Sequence, residues 1–289
     1  MKGRYIGENI RLLYDLILYT QLHNQPGMLL LIDFEKAFDS VSHTFIFKCL
    51  NFLNFGPSFN RWIKLFYTKC LSSVLVNGNA SKQFELGRGC RQGDPLSPYI
   101  FLICAEFLGC LIRKNKDIVG ITVDNIECKI TQYADDSTVI LDGSNNSLQR
   151  VLETLDMFER FSGLKVNEEK TNVVYIGSLR DRNTNPDITK KHLNWVKDGK
   201  FSALGVQFST NLTEMGELNY NTLRESVTNS IHHWSKRNLT VLGRVTIVKS
   251  VLIPKFNHLI LSIPNPTKDF LKSLQKQTFD SHRLKKYAH

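Results

Sequence analysis

The sequence predicts an α+β fold, a mixed body over residues 28–208 followed by a helical C-terminal part. Three observations point there. The unbroken apolar run MLLLI, Met28 to Ile32, reads as a strand buried on both faces. Short β-branched runs around turn residues, such as SSVLVNGNASKQFELG with Asn77-Gly78 at its centre, read as hairpins. Segments with apolar residues at helical spacing alternate with these and take over from about Asn219.

The elements follow in order. ENIRLLYDLILYTQLH places Ile10, Leu13, Ile17 and Leu18 on one helix face, and Pro26-Gly27 stops it. The apolar strand then runs straight into Asp33. Ser42 is placed to cap a helix HTFIFKCLNFLNF, Gly56-Pro57 breaks it, and SFNRWIKLFYTK forms a second amphipathic helix. After the Asn77-Gly78 hairpin comes a Gly- and Pro-rich loop, then an apolar helix with Ser97 as cap and Pro98 in its first turn. Two strands joined by Asp124-Asn125 lead to ITQYADDSTVIL, a hairpin with Asp135-Asp136 at its tip. Ser147 is placed to cap LQRVLETLDMFERFS, Gly163 ends it, and TNVVYIG and FSALGVQF are further strands.

Composition narrows the function classes. With 37 Lys and Arg against 27 Asp and Glu, the net charge of +10 favours a polyanionic partner such as nucleic acid. The charged start MKGRYIGENI argues against a secretory signal, and YIFLICAEFLGCLI is too short and polar to span a bilayer. The expected location is therefore intracellular, cytoplasmic or nuclear. The six cysteines show no C-x-x-C pair and no His at zinc-ligand spacing, so they read as reduced core thiols.

Two acidic sites sit at strand ends: Asp33, and Asp135-Asp136. Adjacent Asp residues also suit an ordinary turn. Carboxylates on neighbouring buried strands, however, are costly to hold ionised without a cation, because desolvation and mutual repulsion both raise their pKa. Two hard divalent ions would remove that cost, and two ions about 3.5–4 Å apart clamp the attacking and leaving oxygens of an in-line phosphoryl displacement. Successive side chains on a straight strand point to opposite faces, so Asp135 and Asp136 share one site only in a tight turn.

These residues carry a resemblance. LLLIDFEKAFDSV, GCRQGDPLSPYIF, QYADDSTVI, FSGLKVNEEKT and FSALGVQF resemble, in order, five blocks of a reverse transcriptase palm of the non-LTR (LINE-type) retrotransposon kind. GRYIGENI resembles the block leading into the palm, and WSKRNLTVLGRVTIVKSVLIPKF the thumb. The resemblance implies a connecting helix over residues 1–27, a palm of antiparallel sheet backed by helices over 28–208, and a helical thumb over 209–289. It also implies that fingers strands, upstream of GRYIGENI in the family, are largely missing.

The implied function is an RNA-directed DNA polymerase that uses Mg²⁺, or Mn²⁺, with an RNA template, a DNA primer and deoxynucleoside triphosphates. Asp33, Asp135 and Asp136 would bind the metals with the Phe34 carbonyl, Asp135 being the closer of the pair. Phe38 would exclude a ribose 2′-hydroxyl, and Arg91, Gln92, Gly93 and Lys170 would meet the nucleotide. Tyr133, Leu204, Gly205 and Val206 would grip the primer, and Lys236, Arg237, Arg244 and Lys249 the duplex backbone. Two alternatives share parts of this pattern: an inactive nucleic-acid-binding remnant, and a palm-type nucleotide cyclase, which needs neither primer grip nor thumb.

Overall fold

The computed structural model describes residues 5–91, 93–182 and 192–283, with side chains up to residue 276. In chain order the elements are α1 (Ile6–Leu22), β1 (Pro26–Ile32), α2 (Ala37–Ser40), α3 (His43–Phe52), α4 (Pro57–Tyr67), β2 (Cys70–Ser72), β3 (Leu75–Val76), β4 (Asn79–Ala80), β5 (Phe84–Leu86) and α5 (Ser97–Lys114). Next come β6 (Ile121–Val123), β7 (Ile126–Cys128), β8 (Ile130–Tyr133), β9 (Asp136–Leu141), α6 (Asn145–Ser162), β10 (Asn172–Gly177) and β11 (Asn194–Trp195). The remainder are β12 (Lys200–Ala203), β13 (Val206–Ser209), α7 (Leu212–Ser235), α8 (Val241–Ile247), a π-helical turn over Val248–Leu252, α9 (Ile253–Ile260) and α10 (Lys268–Arg283). They fall into two compact units, residues 26–196 and residues 1–25 with 197–289.

In the first unit a five-stranded sheet runs β11-β10-β1-β9-β8. Its centre, β1, is antiparallel to both β10 and β9, and only the short β10–β11 pair is parallel. The apolar run behaves as its composition predicts, with every residue of β1 after Pro26 buried. Met28, Leu30 and Ile32 join Val139, Leu141 and Val173 against Phe45, Phe101 and Phe158 of α3, α5 and α6. The alternate residues Leu29, Ile140 and Val174 are fully buried on the other face. Each such side chain contributes about 1.5–3 kcal/mol of transfer free energy.

Local signals set most boundaries. The β6–β7 turn holds Asp124 and Asn125 at φ 46° and 68°, as a two-residue turn of that hand requires. Gly163, at φ 78°, ends α6. Three expectations shift. Ser97 is the first residue of α5 rather than its cap, because the Asp94 carboxylate already accepts from the Leu96 N–H at 2.9 Å and turns the chain there. Ser144, not Ser147, caps α6, and its hydroxyl accepts from the Ser147 N–H. The C-terminal helices begin at Leu212, seven residues before Asn219, because Asn211 supplies the cap.

The second unit joins α1, the hairpin β12–β13 and the helices from α7 onward. The hairpin, which the sequence groups with the mixed body, is held here by two side chains. Asn219 of α7 accepts from the Gln207 N–H at 2.9 Å and donates to the Gln207 carbonyl at 2.7 Å, so it acts as a short strand edge. His258 of α9 meets the Leu204 carbonyl at 3.1 Å. Pro254 follows the π-helical turn, as expected of a residue that brings no N–H to the helix ladder and crowds the preceding carbonyls. Among the described residues no helix is long and apolar enough to cross a membrane.

Candidate active site

The central strand delivers Asp33 to one end of the sheet. The β1–β9 register runs from Met28↔Leu141 to Ile32↔Ser137, and one further step sets Asp33 opposite Asp136. The β8–β9 hairpin closes through Tyr133↔Asp136, so Ala134 and Asp135 form its two-residue turn. Ala134 sits at φ 55°, a conformation that disfavours a Cβ. This turn lets consecutive carboxylates occupy one end of the sheet. Asp136 opens β9, and Asp135 stands in the turn beside it.

Asp136 senses the other two carboxylates. The Asp136 carboxyl is held above the usual carboxylate range, first by burial, then by Asp135 and then by Asp33. Among the described residues, no three His, Cys, Asp or Glu side chains converge as a ready-made cation cage. The donor set nevertheless suits a hard cation: oxygen ligands of one sign, at neighbouring strand ends.

The Asp33 end is stitched to the segment after α6. The Asn167 N–H donates to the Asp33 carbonyl at 2.8 Å, and the Glu35 N–H to the Lys165 carbonyl at 2.9 Å. These bonds flank the Phe34↔Val166 bridge, which turns the Phe34 carbonyl away from that partner. The Asp33 N–H donates to the buried Thr171 hydroxyl at 3.3 Å, and the Lys165 ammonium reaches Glu35 at 2.9 Å, which raises the Lys165 pKa. Lys170 is exposed within this same segment, its N–H on the Asn167 side chain at 3.3 Å. Thr171 and Asn167 were not singled out from sequence. Their signal is weak, polar residues between an apolar pair and a strand.

Phe38 is half-buried and stacks on Phe101 at 4.5 Å, while its carbonyl accepts from the Cys90 N–H. That bond brings the segment 88–91 beside α2. Arg91 is exposed and donates to the Cys70 sulfur at 3.5 Å, and Gly93 has φ 85° with open space around it. Gln92 lies outside the described residues. Tyr133 ends β8, partly exposed. Leu204 and Gly205, at φ 52° and 76°, form the β12–β13 turn, and Val206 is fully buried. In α7 to α9, Lys236 and Lys249 are exposed. Arg237 lies over the Trp234 ring at 4.7 Å, and Arg244 donates to the Leu239 carbonyl.

Comparison with known proteins gives the family. The family described as Reverse transcriptase (RNA-dependent DNA polymerase) matches residues 6–208. The chain belongs to the reverse transcriptase family. This reverse transcriptase chain is 25% identical over 280 residues to the Transposon TX1 uncharacterized 149 kDa protein of Xenopus laevis, covering 96% of this chain and 21% of that protein. It is 28% identical over 253 residues to the Retrovirus-related Pol polyprotein from type-2 retrotransposable element R2DM of Drosophila melanogaster, covering 84% and 23%. The chain thus spans about a fifth of the length of these curated relatives. A telomerase structure from Candida Tropicalis, in complex with a TWJ fragment of telomeric RNA, is 14% identical with a TM-score of 0.46, covering 96% of this chain and 42% of that one.

Proposed function

We propose that this chain carries the polymerase centre of a non-LTR retrotransposon reverse transcriptase: a deoxynucleotidyl group passes from a triphosphate to a primer 3′-hydroxyl, with RNA as template. The observation that supports it most is the register that sets Asp33 opposite Asp136, with Asp135 in the adjoining turn. Asp33, Asp135 and Asp136, with the Phe34 carbonyl, would hold two Mg²⁺ ions, and Mn²⁺ suits the same oxygen donors. Bound there, such ions supply charge neutralisation to the attacking and leaving oxygens.

The other roles belong to the chain's own groups. Phe38, braced by Phe101, forms a wall that a 2′-hydroxyl would strike. Arg91, Gln92 and Gly93 line the nucleotide, and Lys170 gives a proton to the departing pyrophosphate. Tyr133, Leu204 and Gly205 hold the primer end, Val206 being fully buried, while Lys236, Arg237, Arg244 and Lys249 meet the duplex backbone. In this reading residues 28–208 act as palm and 209–289 as thumb, with the helix within 1–27 as the fingers-to-palm connecting helix.

Primer extension on an RNA template with Mg²⁺ tests the proposal. Asp135→Asn should reduce incorporation by about 10²–10³-fold or more, the scale for removing a preorganised charge-stabilising group. Equal incorporation by that variant refutes it. Duplex retention without incorporation by the unmodified chain would favour a nucleic-acid-binding protein without activity.

A further inference from the structure

Half of the chain's net charge of +10 lies in residues 56–91, which hold six Lys and Arg against the single acid Glu85. All six cations, Arg61, Lys64, Lys69, Lys82, Arg88 and Arg91, are exposed. None forms an ion pair with a described carboxylate, whereas Lys129, Arg150 and Lys165 of the same unit do. Arg61 and Lys64 sit three residues apart on α4, a spacing at which like charges repel. Such a cluster is costly in isolation and calls for a polyanion.

The same surface is unusually apolar between its charges. On α4, Ile63 and Tyr67 face inward while Trp62 and Leu65 are 60% and 64% exposed, and Trp62 stacks with Phe66 at 6.3 Å. The chain continues into a ribbon over residues 70–86, made of the pairs β2–β5 and β3–β4, with no third strand beside either among the described residues. Leu71, Leu75 and Phe84 are exposed along it. The register changes by one residue between Ser72↔Phe84 and Leu75↔Ala80, so a bulge falls on the strand carrying Lys82. Where the ribbon leaves α4, a cavity of about 620 Å³ is lined by residues that include Tyr67, Cys70, Leu86, Arg88 and Arg91, with Asp39 as its one carboxylate among the described residues.

We propose that α4 and the 70–86 ribbon form a platform for single-stranded nucleic acid, with bases against Trp62 and Phe66 and phosphates on the surrounding cations. A flat aromatic face accepts any unpaired base, and a sequence-independent cationic surface tracks the backbone. Duplex offers the phosphates without the bases, so it competes poorly for the aromatic part. The platform deepens the nucleic-acid reading above and extends it to a surface that needs neither the carboxylates nor catalysis.

The test uses the full chain and a fluorescein-labelled 20-nucleotide oligouridylate, followed by anisotropy across a series of KCl concentrations. Trp62→Ala should weaken binding about tenfold, with Trp62→Phe largely restoring it. Arg61→Gln with Lys64→Gln should lower the slope of log affinity against log salt by about 1.4. Lys116→Gln, exposed elsewhere in the same unit, should stay within about twofold of the parent. Affinities and slopes unchanged in all variants overturn the platform. A Trp62→Ala variant that alters the sedimenting mass but not oligonucleotide affinity assigns the face to a protein partner, and overturns it too. Asp135→Asn should bind oligouridylate normally. If it also still extends primers while Trp62→Ala loses binding, the catalytic reading falls and the platform stands.

Discussion

Two hairpins of one unit obey opposite masters. The ribbon over residues 70–86 has a turn of ideal chemistry, Asn77-Gly78 at φ 48° and 82°, yet its strands are almost wholly exposed. The β8–β9 hairpin turns on Ala134 at φ 55°, where a Cβ is disfavoured, yet β9 is buried from Ser137 to Leu141 in the sheet beside β1. Favourable local chemistry made a hairpin that packing does not cover. Packing held a hairpin that local chemistry alone disfavours, and it is the second that carries the paired carboxylates.

The contrast breaks if core and ribbon respond alike to truncation. Ile140→Ala, in the fully buried β9, should cost about 2–5 kcal/mol in urea unfolding. Leu75→Ala, 72% exposed on the ribbon, should stay within about 0.5 kcal/mol. A smaller effect is expected at Thr171, whose hydroxyl accepts from the Asp33 N–H. Thr171→Val should cost about 1–3 kcal/mol by leaving that donor unpaired, and lower kcat of primer extension more than it changes KM. Thr171→Ser should restore kcat, and failure to do so would make the contact purely structural. A modest effect of opposite sign is expected at the turn itself. Ala134→Gly relieves the positive φ and should raise stability by about 0.5–1 kcal/mol, whereas a loss would mean that the turn's rigidity matters more than its strain.

Much of the site was legible in the chain because its signals are local. An apolar run ending in Asp33, and Asp135-Asp136 between β-branched runs, need only strand periodicity to be read. The cap positions of α5 and α6 were misjudged by one to three residues, since several Ser and Asp lie close together and only backbone geometry selects among them. The Asn219 and His258 contacts that hold β12–β13 in the helical unit join residues 12 and 54 positions apart, and no local pattern announces them.

By itself, the sequence determined which segments are strands and helices, where the carboxylates stand along them, and that half the positive charge excess is concentrated in residues 56–91. Only the tertiary structure decided which carboxylate faces Asp33, that Thr171 and Asn167 brace it, and that the 70–86 ribbon is left uncovered. The reason is physical: periodicity and turn chemistry act between neighbours in the chain, while register, burial and cross-strand repulsion act between neighbours in space.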